Sequence, residues 1–395
     1  MDKVRSVTDV RIPVVADVIG VLEQMYDPAW AREWDAVGMV CGDPQAPVRR
    51  VLLAVDPVTP VIDEALGWHA DLLVTHHPLL LRGVHGVSAQ TAKGRIVHQL
   101  IRGGCALYTA HTNADVASPG VSDALARILG LTDLEPLSAD PVDPVDKIVT
   151  FVPEDYADKL IDAITAAGAG DVGEYSRVAW TSVSTGTLIA GTAEESGASG
   201  VREEAAQRRV EAVLPRARRA CVIAALRATH PVADAAFDVY EMAAWSGPRG
   251  IGRVGLLSAP TTLREFAMLV AEALPASHQG VRIAGDPTAE VSRVAVCGGA
   301  GDTLFDAVRA CGADVFVTAD LRHHPASEQR ENAGDGPPYL VDVAHWSSEW
   351  PWLAGVANRL QGALEAAGTP IEVHVSSKCT DPWTFRVPCP GGVVR

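Results

Sequence analysis

Two histidines stand side by side at the end of an apolar run in "DLLVTHHPLL" (residues 71–80). Two other strand-like runs end in the same way. "CALYTA" (105–110) continues into "HTNAD", with His111 and Asp115, and "YLVDVA" (339–344) continues into "HWSSE", with His345 and Glu349. Imidazoles and carboxylates together suit Zn, Mn, Fe or Co, and the absence of a cysteine among these candidate ligands disfavours a closed structural zinc site. His345 and Glu349 are four residues apart, so a helix starting near Trp346 projects both from adjacent turns of one face. Pro78 disfavours helical backbone at His77. At a strand-to-turn junction both rings can therefore enter one cleft and meet two different ions. A lone histidine at a strand end is commonly a hydrogen-bonded core or surface residue. Three such strand ends in one fold point to a metal site.

The elements that must position these residues alternate between strand and helix. In the first 145 residues, strands are expected over 48–56, 71–75 and 105–110, with helices after Thr59, near 91–103 and over 120–131. From about residue 246 the style repeats: "VSRVAVCGGAG", "DVFVT" and "YLVDVA" read as strands, "DTLFDAVRACG" and "WSSEWPWLAGVANRL" as helices. Short apolar strands separated by helices imply a mostly parallel sheet covered on both faces. Arg50-Val51, Ala70-Asp71 and Val74-Thr75 recur as Arg293-Val294, Ala313-Asp314 and Val317-Thr318 at one constant offset. This predicts an internal duplication, with residues 1–145 and 246–395 forming one discontinuous, pseudo-symmetric α/β domain around a shared cleft. Residues 146–245 differ in composition. Their β-α-β-β-α-β order predicts an inserted ferredoxin-like α+β domain, with a solvated loop over 190–207.

The chain has 395 residues, 48% hydrophobic content and a net charge of −16. That length suits two or three domains. The charge argues against general nucleic-acid binding, since a phosphate backbone would be repelled by most of the surface. No run approaches the roughly 20 apolar residues of a membrane span, and the N-terminus has acids where a signal peptide is basic, so a cytoplasmic location is expected. Seven scattered cysteines without a C-x-x-C pair read as reduced thiols.

Other residues are less specific. "TADLRHHP" places Asp320, His323 and His324 after the duplicated strand, as neighbours of the ligands, proton carriers, substrate contacts or a surface loop. Asp35 and Gly38 in "WDAVGMVCGD" read as a turn with a structural role. "GIGRVG" (250–255) lacks the preceding strand and following helix that give a nucleotide loop its meaning.

With these positions in view, the chain resembles the dinuclear-metal-centre family of GTP cyclohydrolase 1 type 2 homologues. The matching motifs are "WDAVGMVCGD", "VTHHPLL", "HTNADVASPGVSDALA", "GEYSRVAWTSVSTGT", "HPVADAAFDVYEM", "VAVCGGAGDTLFDAV", "DVFVTADLRHH" and "DVAHWSSEWP", in the family's order from residue 34 to about 351. The resemblance implies two divalent cations per subunit. His76 would hold one with His345, His77 and Asp115 the other, and Glu349 would bridge them. It also implies that the insertion is a lid or rim, and that subunits form ring-shaped homohexamers with the metals facing an interior cavity. One departure is Ala319, where the family usually has Gly, which leaves the role of the adjacent Asp320 open.

Two cations roughly 3.5 to 4 Å apart lower the pKa of a shared water enough to give hydroxide near neutral pH. In a GTP cyclohydrolase reaction that nucleophile attacks the imidazole-ring carbon of guanine before formate is lost. Glu349 belongs to this centre, His111, His323 or His324 would move protons, and Arg82 or Arg322 would hold phosphate. The expected partner is a small-molecule substrate, with a nucleotide as the leading choice, and no membrane. Two alternatives stand beside this reading: another metallohydrolase acting on phosphoesters or C–N bonds, and a non-enzymatic metal-binding regulatory protein.

Overall fold

Segments such as "VLLA" and "LLVT" are apolar at nearly every position, a pattern stable only in strands covered on both faces. The computed structural model, which describes residues 11–189 and 202–387, uses them this way. A first sheet contains β1 (Gly38–Cys41), β2 (Arg50–Ala54), β3 (Leu72–Thr75), β4 (Ala106–Thr109) and β15 (Glu372–Val375), in the order β1-β4-β3-β2-β15. Its side chains alternate between two cores. Val51, Leu53, Leu72 and Val74 pack with Leu353, Val356 and Leu360 of the helix Pro351–Ala366. Leu52, Leu73 and Leu107 pack with Ile62, Ile96 and Leu100 from the helices Thr59–Gly67 and Ala92–Gly103. Each such side chain, fully buried, stabilises the fold by roughly 1.5 to 3 kcal/mol.

A second sheet has the order β11-β14-β13-β12-β10-β5, formed by β5 (Thr132–Pro141), β10 (Ser246–Thr262), β11 (Arg282–Ala284), β12 (Glu290–Ala300), β13 (Val315–Ala319) and β14 (Tyr339–Val343). The expectation of mostly parallel sheets holds for its centre and fails at its margins. β12, β13 and β14 are parallel, whereas β10 and β11 run antiparallel to β12 and β14, as β1 does to β4. Composition could not reveal this, because an apolar strand carries no mark of its direction. The expected single helix over "WSSEWPWLAGVANRL" is two, His345–Glu349 and Pro351–Ala366.

The two sheets share local detail. The backbone N–H groups of Arg49 and Arg50 donate to Asp71 Oδ2 at 2.7 and 2.9 Å, and those of Ser292 and Arg293 donate to Asp314 Oδ2 at 2.9 and 2.7 Å. Arg50 donates to the Trp68 carbonyl and Arg293 to that of Cys311. Val51 pairs with Leu72, and Val294 with Val315.

The chain divides into two compact units, one ending at Asp140 and resuming at Gly247, the other Pro141–Ser246. The second contains a four-stranded antiparallel sheet, order β7-β8-β6-β9, from β6 (Val145–Val152), β7 (Trp180–Ile189), β8 (Arg202–Pro215) and β9 (Phe237–Glu241). Helices Ala157–Ala166 and Arg219–Thr229 bury Leu160, Ile164, Val222 and Leu226 against it. The loop expected over 190–207 lies outside the described residues as far as 201. From Arg202 onward the chain is instead strand, paired with β7. No helix among the described residues is long and apolar enough to cross a membrane.

Arg253 on β10 ties that strand to the segment around Ala117 and Asp123. It is 1% exposed, and its guanidinium donates to the carbonyls of Gly250, Gly252 and Ala117 while lying 2.7 Å from Asp123 Oδ2. Asp123 also accepts the Gly120 N–H, which starts the helix Val121–Ile128. Replacing Arg253 with Met leaves three carbonyls and a carboxylate without this donor. Urea titration should show a loss of about 3 to 5 kcal/mol, the cost of breaking a buried pair by removing one partner.

Candidate metal centre

Parallel strands deliver their following residues to the same edge of a sheet. The His76 N–H bonds the Ala54 carbonyl and the His77 N–H bonds that of Val55, which continues the β2–β3 ladder past the strand end. The rings then part. His76 Nδ1 donates to the carbonyl of Ala110, beyond β4, at 2.9 Å, and His77 Nδ1 donates to Asp56 Oδ1, beyond β2, at 2.7 Å. Consecutive residues thus lean on opposite neighbouring strands, with ring centroids 5.0 Å apart. His111 Nδ1 donates to Asp35 Oδ1 at 2.8 Å, and His345 Nδ1 donates to Asp320 Oδ2 at 2.7 Å.

All four acceptors are carbonyl or carboxylate oxygens, so each Nδ1 carries a proton. In the neutral ring, Nε2 then keeps its lone pair, the usual arrangement behind metal-binding histidines. Glu349, on the short helix His345–Glu349, brings its carboxylate among them. Oε1 lies 3.0 Å from His345 Nε2 and 3.5 Å from His76 Nε2, and Oε2 lies 3.1 Å from His77 Nε2. Asp115 Oδ1 is 3.5 Å from His76 Nε2. Two groups of ligand atoms converge within 4.8 Å: His76, His77 and His111, and His77, His345 and Glu349.

Several features fit this cluster to divalent cations. Buried His76 Nε2 and Glu349 Oε2 have no hydrogen-bond partner in acceptable geometry, despite their close neighbours. Such an arrangement is costly unless something further satisfies it. The donors are nitrogen and oxygen only. Gly299 leaves space beside them: at φ 69°, a Cβ there would fall 2.6 Å from Glu349 Oε1 and 3.1 Å from His345 Nε2.

Electrostatics bind the same groups together. Burial opposes the charge of Glu349, yet the facing imidazoles of His77, His345 and His76 hold its pKa well below the usual carboxylate range. Burial likewise opposes charge on His345, but Glu349 and Asp320 outweigh it and raise its pKa to about 10. His76 and His77 are raised against the same penalty, chiefly by Glu349. Asp115 is raised by burial. Asp35 is lowered because hydrogen bonds from His111 and Thr112 overcome its burial.

His76, His77, His111, Asp115, His345 and Glu349 are therefore brought together. His323 and His324 are not. They open the helix His323–Ala333, pack ring against ring at 5.2 Å, and His323 faces another cleft with Arg282, Arg322 and Arg330. Asp320 turns the chain with a φ of 55°, and Arg322 is paired with Asp302, so the loop leaves the cluster after one residue. Arg82 is exposed, and neither it nor Arg322 lines the cleft over the histidines. Asp35, Asp56 and Asp320 each orient a ring; for Asp320 this is the ligand-neighbour role among its expected alternatives, whereas Asp35 reads as a turn residue and Asp56 carries no motif. Asp56 lies two residues past the end of β2, so the rule of inspecting every strand end would have found it.

The fold and the two convergent ligand groups define a mixed α/β protein with a candidate metal centre at its strand ends. Residues 13–382 match the Duf34/NIF3 (NGG1p interacting factor 3) family, to which the chain belongs. A Mycobacterium tuberculosis relative named GTP cyclohydrolase 1 type 2 homolog is 47% identical over 378 residues, 94% of this chain and 97% of that protein. A Bacillus subtilis relative of the same name is 34% identical, over 93% and 97%. Among solved structures, a Bacillus cereus protein related to NIF3 superposes with a TM-score of 0.78 at 33% identity, covering 95% of this chain and all of that one.

The protonation of this cluster and the space beside it can both be probed. His345 contributes stability that is fully present below its ordinary pKa of 6.5 and lost as pH rises through about 10. Cation binding must displace such protons and so runs the other way. The melting temperature of EDTA-treated protein should fall between pH 6.5 and 10, while the increment given by added Mn or Zn grows. Gly299→Ala should weaken metal affinity about 10- to 100-fold by calorimetry, as changes beside metal ligands typically do. Unchanged affinity would mean that this space is not used.

Proposed function

We propose that this chain is a metal-dependent hydrolase with two divalent cations, held by His76, His77, Asp115, His345 and a bridging Glu349. The observation that carries the reading is the split of one buried carboxylate, with Oε1 toward His76 and His345 and Oε2 toward His77. Divalent cations bound there supply an activated water at neutral pH. His111 has its Nδ1 anchored on Asp35 and lies in the converging group with His76 and His77, so it is placed to take up and return a proton. The names of the relatives favour hydrolytic opening of the guanine imidazole ring of GTP, with loss of formate. The resemblance to the family also implies a homohexamer, and the acids of the N-terminal segment favour a cytoplasmic location.

We read the architecture behind this site as a duplication, supported by the matching hydrogen bonds of Asp71 and Asp314 and the matching registers of β2–β3 and β12–β13. The halves are taken as 1–145 and 246–395. Residues 146–245 form the inserted domain, ferredoxin-like by its β-α-β-β-α-β order.

The proposal is tested with protein loaded separately with Zn, Mn, Fe or Co and incubated with GTP, with metal stoichiometry and formate measured together. Two ions per chain and formate release are expected. Glu349→Gln should bring stoichiometry to one or fewer and stop turnover. Two ions without formate from GTP would remove the cyclohydrolase reading, and activity on a phosphoester or C–N panel would then identify another hydrolase. Silence on every substrate would leave a metal-binding regulator.

A further inference from the structure

We propose that Asp381 and Trp383 form a recognition subsite for a flat nitrogen heterocycle with adjacent N–H donors, and that Lys93 receives its anionic tail. The inference rests on the proposed hydrolase reading and specifies what its cleft selects. That cleft, of about 550 Å³, lies in front of His77, His111 and His345. It is large enough for a nucleotide-sized ligand.

Asp381 lines it with one oxygen uncommitted. Oδ1 accepts the Trp383 N–H at 3.3 Å, whereas Oδ2 is buried without a hydrogen-bond partner. A buried acceptor left unpaired costs stability, so a site that keeps one is prepared for an incoming donor. Asp381 is not among the residues proposed to hold the ions and lines the cleft in front of them, so its unpaired oxygen is assigned to a substrate. With Oδ2 free and a second lone pair left on Oδ1, the carboxylate can accept two parallel N–H groups, and the N1–H and 2-amino edge of guanine supplies such a pair. The indole of Trp383 lines the same cleft and is 65% exposed, an aromatic surface on which a base can stack. Among the described residues lining the cleft, Lys93 carries the only ammonium or guanidinium.

The segment bearing Asp381 and Trp383 is tied down, as a selective subsite requires. After β15 the Ser376 N–H bonds the Leu53 carbonyl at 2.8 Å, its own carbonyl accepts Trp350 Nε1 at 2.8 Å, and its hydroxyl donates to Glu64 at 2.6 Å. The Thr380 hydroxyl then donates to Asp56, the residue that orients His77. The recognition side of the cleft is thus built onto the support of a candidate ligand.

Equilibrium binding of GTP, ITP and guanosine to the metal-loaded full chain tests the subsite. ITP lacks only the 2-amino group. The unaltered protein should bind GTP about tenfold or more tighter than ITP, since a site built around a donor rejects the analogue without it. Asp381→Asn should bring that ratio to about one. Trp383→Leu should weaken both nucleotides alike, and Lys93→Met should weaken GTP but not guanosine. Metal stoichiometry and melting temperature should stay unchanged in all three, which separates loss of recognition from damage to the centre. An unchanged GTP-to-ITP ratio in Asp381→Asn, or no binding of any probe by the unaltered protein, overturns the inference. Asp381-dependent GTP binding without formate release would sink the ring-opening reading alone. Turnover of GTP with discrimination unaffected by Asp381→Asn would sink the subsite alone.

Discussion

A carboxylate 3% exposed cannot stay charged without compensation, and Glu349 is compensated by three imidazoles from two strand ends. Much of the larger unit serves this one balance. β3, held between β2 and β4, aims two histidines apart. β14 releases the chain into a short helix that returns His345 and Glu349 to meet them. Each ring is fixed from behind by a carbonyl or carboxylate, so the charges face one another in a set geometry. Burial makes such an arrangement costly, and mutual attraction in low dielectric makes it stable only when all members are present.

The strand ends were legible because they combine two readable signals, a buried apolar run and an abrupt polar residue. That pairing located the residues whose side chains the structure gathers. Asp35 escaped because "WDAVG" carries turn chemistry that conceals a buried carboxylate, and its partner His111 is distant in sequence. The C-terminal "TDPW" escaped because it follows no helix and closes no motif. His323 and His324 repeat the look of His76 and His77, yet Asp320 bends the chain away before they arrive. Doubled histidines alone could not reveal that difference.

Strand direction was similarly hidden. The core strands of both sheets were recognisable from unbroken apolar runs, while the antiparallel margins required knowledge of pairing. The repeated residues carried more information than their chemistry suggested. Asp71 and Asp314 belong to neither group of converging ligands, but each gathers two backbone N–H groups at the base of a parallel pair. They are structural anchors of the sheets that carry the site.

His76 and Glu349 lie far apart along the chain, and the segment joining them contains the whole second unit. Cations gripped by both would act as a reversible cross-link closing that long loop. Such a closure restricts the unfolded chain most when the loop is long. The bound ions would then hold the two sheets in register as well as prepare a water. Scarcity of metal would reach the protein first as a loss of persistence and only afterwards as a loss of chemistry.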